Sequence, residues 1–338
     1  MAYTKYTIGN TTLDEFVSAI PRIYSKKDEN RSVWDVWLHA NHHAAAIGEE
    51  VRKGGHQIEL LEEISHFSMW LFTLLHKLQG EIGTKNYPLE SDQEAVIKIS
   101  SSYSELLWNK YPRMCPVCYW RRTKGNRDLE HKPDFSRNCD CLLFDVEKRD
   151  PSQKRDHVRA LRSYSKANLD VKPTSVDEWQ RSFSAIFRSN LRHLTLESVA
   201  FHLLEEVGEV SDAMARMYTY SRDSIRDGEV LDGEPSWSQI WLEEELADVT
   251  SWLFALVEKM DFIRETADIY DNWRFDENII SRKPIRLSEI IWRSYGSDNL
   301  EEFWCTHCKK PVCECQIIFV GANCALGTLI EKNVDVLN

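Results

Sequence analysis

Two stretches of the chain match each other without a gap, and this internal similarity constrains the fold more than any other feature of the sequence. LLEEISHFSMWLFTLLHKL at 60–78 aligns with LEEELADVTSWLFALVEKM at 242–260, with Glu63 matching Glu245. Four further matches follow the same order, at 13–16 and 176–179, at 42–49 and 202–209, at 104–111 and 288–295, and in the cysteines that end each half. We therefore interpret the chain as a tandem duplication.

The matching segments carry apolar residues at helical spacing. At about 100° per residue, one face of 199–214 collects Val199, Leu203, Val207, Val210 and Met214. Glycine and proline, 13 and 10 in 338 residues, are too sparse to interrupt many such helices. The pattern predicts an all-α fold of two tandem helical bundle modules.

Acidic residues flank the apolar face at equivalent places in two consecutive helices of the second copy. Glu206 lies at the rim of one face with Glu209 one turn on, and Glu245 lies at the rim of the next with Asp248 beside it. Antiparallel packing would bring these four carboxylates together, and a hard cation such as Mg²⁺ or Mn²⁺ would offset their repulsion. The alternative is that the acids form a solvated helix face.

Four neighbouring acids on the same two helices are expected on the opposite side, away from the four candidate cation ligands. They are Glu205, Asp212, Glu243 and Glu244. The first copy keeps two of the four candidate ligands, Glu49 and Glu63, and has Ala46 and His66 at the other two positions. Two carboxylates do not easily hold the same cation cluster, so we interpret the first copy as one in which this site has lapsed.

Glu206-Val-Gly-Glu209 followed by Glu245-Leu-Ala-Asp248 resembles the ExxE…ExxD signature of the MazG-like all-α nucleoside triphosphate pyrophosphohydrolases. The surrounding LLEEVGEV and EEELADVTSWLFAL are similar to that family as well. The resemblance covers about 175–275 and, as a degenerate copy, 10–112. One departure is the 35 residues between Glu209 and Glu245, longer than is usual in the family, of which 218–240 is interpreted as a loop.

The resemblance implies cleavage of an NTP or dNTP to the monophosphate and pyrophosphate, with Mg²⁺ (or Mn²⁺) as the cofactor. The implied Mg²⁺ ligands are Glu206, Glu209, Glu245 and Asp248. The implied acceptor of the water's proton is Glu206 or Glu205, although helical geometry turns Glu205 away from the site. Asn272 and Arg274 are expected near the nucleotide.

Members of that family work as dimers, so the duplication is interpreted as an intramolecular pseudo-dimer, and a homodimer of such pseudo-dimers is a further expectation. The lapsed copy would then line the base pocket. Its candidates for that role are Trp34, Trp37, His42 and His43. The alternative for these residues is an aromatic core at helical spacing.

Cysteines follow each copy in the same arrangement. Cys115-Pro-Val-Cys118 precedes Cys139-Asp-Cys141, and Cys305-Thr-His-Cys308 precedes Cys313-Glu-Cys315. Each set offers four thiolates, the number that a closed tetrahedral zinc site uses, so two structural Zn²⁺ are predicted. His131 and His307 are alternative ligands, and reduced cysteines without metal are the alternative for each set. Cys324 stands apart and is expected to be buried in a C-terminal helix.

These observations divide the chain into six segments. They are a degenerate module at 1–112, a first zinc knuckle at 113–143, a helix-bearing linker at 144–174, the catalytic module at 175–298, a second knuckle at 299–320 and a C-terminal helix at 321–338.

Composition limits the partners and the location. A net charge of −12 argues against a general nucleic-acid-binding surface, and no apolar run is long enough to span a membrane. The N-terminus has no basic-then-apolar signal pattern, so a cytoplasmic protein is expected. The expected function is nucleotide-pool control or defence by NTP pyrophosphohydrolysis. The alternative is a nucleotide-sensing module with little turnover, whose knuckles bind a partner.

Overall fold

The computed structural model describes residues 8–54, 57–80, 98–123, 139, 151–220, 236–265, 284–297 and 302–315. Within these ranges the regular structure is helical apart from two isolated β-bridges, which confirms the all-α prediction for the described residues. No helix among them is long and apolar enough to cross a membrane.

The first half of the chain contains six of the described helices. They are α1 (Leu13–Ile23), α2 (Ser25–Asp28), α3 (Val33–Lys53), α4 (Gln57–Leu78), α5 (Tyr103–Lys110) and α6 (Pro116–Thr123). Thr12, Ser32 and Ser102 begin α1, α3 and α5 with a capping box, in which each side chain accepts a hydrogen bond from the backbone N–H three residues on. Gly54 ends α3 with a φ of 60°, a conformation that glycine adopts without strain.

The second half of the chain contains five further described α-helices. The helices are α7 (Pro151–Ala167), α8 (Val176–His193), α9 (Leu196–Tyr220), α10 (Trp237–Glu265) and α11 (Leu287–Tyr295). Helix α7 lies inside the segment predicted as a helix-bearing linker. Helix α9 extends to Tyr220 and α10 begins at Trp237, so both ends of the segment predicted as a loop, 218–240, are helical. The central part of that segment lies outside the described residues, as does the predicted C-terminal helix.

Two helix pairs form the centre of the core. Helix α3 packs on α4, α9 packs on α10, and the two pairs meet where α3 crosses α9. The crossing is close, because a Cβ added at Gly48 of α3 would lie 2.9 Å from Leu204 Cδ1 of α9. Trp37, Trp108 and Trp179 are almost completely buried in the same continuous core.

Residues at matching positions of the two halves make matching contacts. Helix α1 packs on α4 as α8 packs on α10. The buried amine of Lys77 donates to the backbone carbonyl of Asp28 at 2.7 Å, and that of Lys259 donates to the carbonyl of Leu191 at 3.0 Å. The caps of α1 and α8 meet directly, in a bridge between Thr12 and Ser175.

Helices α5 and α11, which occupy equivalent positions in the aligned halves, each pack against the opposite half. Helix α5 packs against α10, and α11 packs against α4. The cysteine segments that follow make the same exchange: the Cys139 N–H donates to the carbonyl of Ile186 in α8 at 2.9 Å, and the Cys313 N–H donates to that of Ile23 in α1 at 2.6 Å. Ile23 and Ile186 occupy equivalent positions in the aligned halves. The C-terminal segment of each half therefore contacts the helices of the other half.

Candidate functional site

Three of the four predicted Mg²⁺ ligands meet where α9 packs on α10. One carboxylate oxygen from each of Glu206, Glu209 and Glu245 lies within 4.8 Å of those of the other two. Glu245 is buried, with 3% of its surface exposed, Glu206 is partly buried, and Glu209 stands at the exposed edge. We call these three residues the acidic cluster. It opens to solvent on the Glu209 side.

Burial and mutual repulsion make the acidic cluster electrostatically unfavourable when all its members are ionised. Burial, reinforced by the charge of Asp248, raises the pKa of Glu206 to about 9. Burial also raises the pKa of Glu245 to about 8, with Lys110 opposing the rise and Asp248 and Glu209 adding to it. A bound cation would stabilise the ionised forms and remove this cost.

The Glu206 carboxylate is held at one oxygen only. Trp252 Nε1 of α10 donates to Glu206 Oε1 at 3.2 Å, and the Trp252 ring stacks on His202 with centroids 4.4 Å apart. Glu206 Oε2 is buried and has no hydrogen-bond partner among the described residues. A buried carboxylate oxygen without a donor is costly, and a cation in the cluster would satisfy it. The residues present therefore fit a divalent cation.

Asp248, the fourth predicted ligand, is engaged by α5 of the other half. Tyr111 Oη donates to Asp248 Oδ1 at 2.5 Å, and Lys110 Nζ forms an ion pair with Asp248 Oδ2. Lys110 Nζ also lies 3.7 Å from Glu244 Oε2. Asp248 thus lies three residues beyond Glu245 on α10 and adds its charge to the acidic cluster, while its two oxygens interact with Lys110 and Tyr111.

Glu205, the other candidate proton acceptor, lies outside the acidic cluster. Its side chain is 63% exposed and its Oε2 lies 3.1 Å from His202 Nδ1. Asp212 is exposed as well and pairs with Arg216 at 2.8 Å on the outer face of α9. Both side chains point to the side of the helix that the 100° spacing assigns to them.

Glu243 and Glu244 lie on the side of α10 that the 100° spacing assigns to them. Both are nonetheless buried, because α5 packs against α10 there and Arg162 of α7 reaches Glu243. Glu243 Oε1 accepts hydrogen bonds from the backbone N–H groups of Ser100 and Ser101 at 3.0 and 3.1 Å. Arg162 of α7 donates to Glu243 Oε2 at 2.8 Å. A buried ion pair between Arg162 and Glu243 therefore holds α7 against α10.

The equivalent place in the first half holds a different set of side chains. His43 Nδ1 of α3 lies 2.7 Å from Glu63 Oε2 of α4, and His66 lies one turn beyond Glu63. Burial lowers the pKa of His66. Burial raises the pKa of Glu63, but the contact with His43 outweighs it and the net pKa is lowered. Glu49 is not in this group and pairs with Lys53 at 2.8 Å on the surface.

Of the four candidate base-pocket residues, the two tryptophans lie in or against the core, and the two histidines lie at or beside the group formed by His43, Glu63 and His66. Trp37 is 1% exposed, and its Nε1 donates to Ser211 Oγ of α9 at 2.7 Å, so it belongs to the core between α3 and α9. Trp34 is partly buried and packs against the same core. His42 is exposed, with its ring edge-on to that of His43 at 5.1 Å.

The cysteines gather in two clusters that could hold a zinc-type ion. In one cluster the four sulfurs lie within 4.8 Å of one another; its members are Cys305, Cys308, Cys313 and Cys315. In the other, the three sulfurs of Cys115, Cys118 and Cys139 lie within the same distance of one another. Sulfurs bound tetrahedrally at 2.3 Å from zinc lie about 3.8 Å apart. The Cys305–Cys313, Cys305–Cys315 and Cys118–Cys139 separations are 3.5, 4.0 and 3.6 Å. None of these seven cysteines forms a disulfide.

Five of the predicted residues lie outside the described part of the chain. They are Cys141, Cys324, His131, Asn272 and Arg274.

Sequence reasoning did not single out Lys110, Tyr111 or Trp252. Trp252 belongs to the Trp-Leu-Phe triplet that 70–72 and 252–254 share. The triplet indicates the internal similarity but not a contact with Glu206. Lys110 and Tyr111 end the SELLWNKY segment, whose equivalent in the second half has Ser294 in place of the lysine. That single cation, present in one copy only, was the available signal.

Replacing Lys110 by methionine is expected to destabilise the protein by about 3 kcal/mol, because Asp248 and Glu244 lose their partner inside the fold. Urea denaturation followed by circular dichroism would measure the change. Lys53→Met is the matched control: Lys53 pairs with Glu49 and Glu50 on the surface, where solvent screens the pairs, and its substitution should leave stability close to that of the wild type. Equal effects of the two substitutions would contradict the role given to Lys110.

Comparison of the chain with protein-family models, with curated proteins and with solved structures found no match.

Proposed function

We propose that the protein is a Mg²⁺-dependent nucleoside triphosphate pyrophosphohydrolase that uses the acidic cluster of the second half. The observation that carries the proposal is the convergence of Glu206, Glu209 and Glu245, with one buried Glu206 oxygen lacking any described donor. Their sequence context is that of the MazG-like signature. Buried carboxylates that repel one another destabilise a fold by themselves, whereas they stabilise a bound divalent cation.

In this proposal the chain's residues have distinct tasks. Glu206, Glu209 and Glu245 hold the cation, and Lys110 and Tyr111 fix Asp248 beside them. Mg²⁺, when bound, neutralises charge on the triphosphate and lowers the pKa of a water molecule. Glu206 is the proposed acceptor of that water's proton on the basis of the family resemblance, and Glu205 is disfavoured because its side chain is turned to solvent. Asn272 and Arg274 are proposed nucleotide contacts on the basis of the family resemblance.

The same proposal treats the two halves as copies of one module that form an intramolecular pseudo-dimer. The matched hydrogen bonds of Lys77 and Lys259, and of the Cys139 and Cys313 N–H groups, support it. The cysteine clusters, loaded with Zn²⁺, would fix the exchanged ends of the two halves. A closed set of thiolates leaves zinc no open position, so its role here is structural.

Pyrophosphate release from a panel of NTPs and dNTPs tests the proposed activity. We expect Mg²⁺-dependent release from at least one nucleotide by the wild-type chain, and a loss of about 100-fold in Glu209→Ala. Glu205→Ala is the matched control, because Glu205 is a neighbouring glutamate outside the cluster. It should keep wild-type activity. Absence of turnover on every nucleotide would overturn the enzyme assignment.

A second candidate is a nucleotide sensor with little turnover. The pairing of Asp248 with Lys110 and Tyr111 favours it, because this reduces the carboxylates free to hold cations from four to three. Under this alternative, nucleotide binding measured by calorimetry with Mg²⁺ would persist in the wild type while pyrophosphate release stayed at the background rate. Binding with turnover would exclude it.

A further inference from the structure

The first half contains a compact group of potential metal ligands that the proposed function does not use. One ligating atom from each of His43, Glu63 and His66 lies within 4.8 Å of those of the other two. Glu63 and His66 are three residues apart on α4 and so share one face, while His43 approaches from α3. The three side chains therefore converge from two packed helices rather than from one local turn.

The chemistry of this group differs from that of the acidic cluster. Glu63 is the counterpart of Glu245, but His66 replaces Asp248 and Ala46 replaces Glu206. The set changes from carboxylates alone to two imidazoles and one carboxylate. All-oxygen sets suit Mg²⁺, whereas two histidines with one carboxylate bind Zn²⁺ or other divalent transition ions.

We propose that His43, Glu63 and His66 form a transition-metal site, with Zn²⁺ as its occupant, in the half that has lost the Mg²⁺ ligand set. Zinc ligands at about 2.0–2.2 Å from the ion lie roughly 3–4 Å from one another. The three ligand atoms lie within 4.8 Å of one another, and the His43 and His66 ring centroids are 5.0 Å apart. The 2.7 Å between His43 Nδ1 and Glu63 Oε2 is a hydrogen-bond distance, which an ion bound between the two atoms would lengthen. The first copy is thus a metal site of changed selectivity.

The site is open on one side. The side chains of His43 and Glu63 are 18% and 26% exposed, so three protein ligands leave a coordination position that faces solvent. Tyr295 of the crossing helix α11 borders the buried side, with its ring 6.5 Å from that of His66. An open His₂Glu set is the arrangement of zinc sites that bind water or a ligand in the fourth position. It differs in this from the closed cysteine clusters.

The competing explanation is a hydrogen-bonded pair of His43 and Glu63 that binds no ion. The two explanations predict different metal stoichiometries. The test does not depend on turnover and uses no residue of the acidic cluster, so the inference and the proposed enzymatic activity can fail separately.

Cobalt titration of the full chain distinguishes them, because Co²⁺ bound by thiolates has a charge-transfer band that Co²⁺ bound by His and Glu lacks. The metal-free reduced protein, in excess Mg²⁺, is titrated with Co²⁺ and then with Zn²⁺, and bound metal is counted by elemental analysis. We expect wild type to bind about one equivalent more than His43→Gln and than His66→Gln, with the thiolate band equal in all three.

His42→Gln is the matched control, since His42 is exposed beside His43 but outside the ligand group. It should keep the wild-type stoichiometry. Two single variants are used so that the test survives if one of them misfolds, which circular dichroism would reveal. Equal metal content in wild type and in a folded His43→Gln or His66→Gln chain would overturn the proposal.

Discussion

Glu245→Gln is expected to reduce pyrophosphate release about 1000-fold and, at the same time, to raise the melting temperature of the Mg²⁺-free protein by a few degrees. Both effects arise from the burial of this carboxylate among Glu206, Glu209 and Asp248. With Mg²⁺, the charge is needed to hold the cation that neutralises the triphosphate. Without a cation, burial among like charges raises the pKa of this carboxyl to about 8. At neutral pH it must therefore take up a proton that it does not carry in the unfolded chain, and this destabilises the fold.

Thermal denaturation with and without Mg²⁺, together with a pyrophosphate assay, would measure both effects. Wild type should melt at a higher temperature when Mg²⁺ is added, because a ligand that binds only the folded state stabilises it. Glu245→Gln should lose most of that shift. Glu205→Gln, on the exposed side of α9, should behave as wild type. A Mg²⁺-free Glu245→Gln protein that is less stable than wild type would contradict the role assigned to this carboxylate.

The double substitution Cys305→Ser with Cys313→Ser is expected to lower the free energy of unfolding by about 4 kcal/mol or more and to remove one Zn²⁺ per chain. Loss of a structural metal is among the few changes that have effects of this size. The loss should spread beyond the knuckle, because the Cys313 N–H is bonded to Ile23 of α1 and the neighbouring Phe303 packs on Phe16.

Zinc content by elemental analysis and chemical denaturation would test this second prediction. Val312→Ala is the control, since Val312 lies in the same turn with its side chain exposed and outside the ligand set. It should retain zinc and near-wild-type stability. If the double variant lost zinc but unfolded at the wild-type denaturant concentration, the cysteine cluster would not be what holds the end of the second half in place.

Helical periodicity was sufficient to place the acidic cluster, because that site is built within one pair of consecutive helices. The rim positions of Glu206 and Glu245 follow from 3.6 residues per turn, and packing of α9 on α10 brings Glu209 to them. The outward direction of Glu205 and Asp212 follows from the same rule.

The parts that periodicity did not predict depend on elements distant in sequence. A helical wheel turns Glu243 and Glu244 away from their own apolar face, but it contains no information that α5 packs there and that Arg162 of α7 reaches Glu243. The engagement of Asp248 by Lys110 and Tyr111 spans more than 130 residues and requires α5 to cross to the opposite half. Local patterns specify what a helix buries, but not which helix covers it.

The crossing of α5 and α11 has a consequence for how substitutions act across the fold. Each candidate site borders a residue of the other half: Asp248 is held by Lys110, and His66 is bordered by Tyr295. A substitution at Lys110 or Tyr295 therefore acts on a site in the half of the chain that does not contain it, and a variant series confined to one half would not separate the two sites.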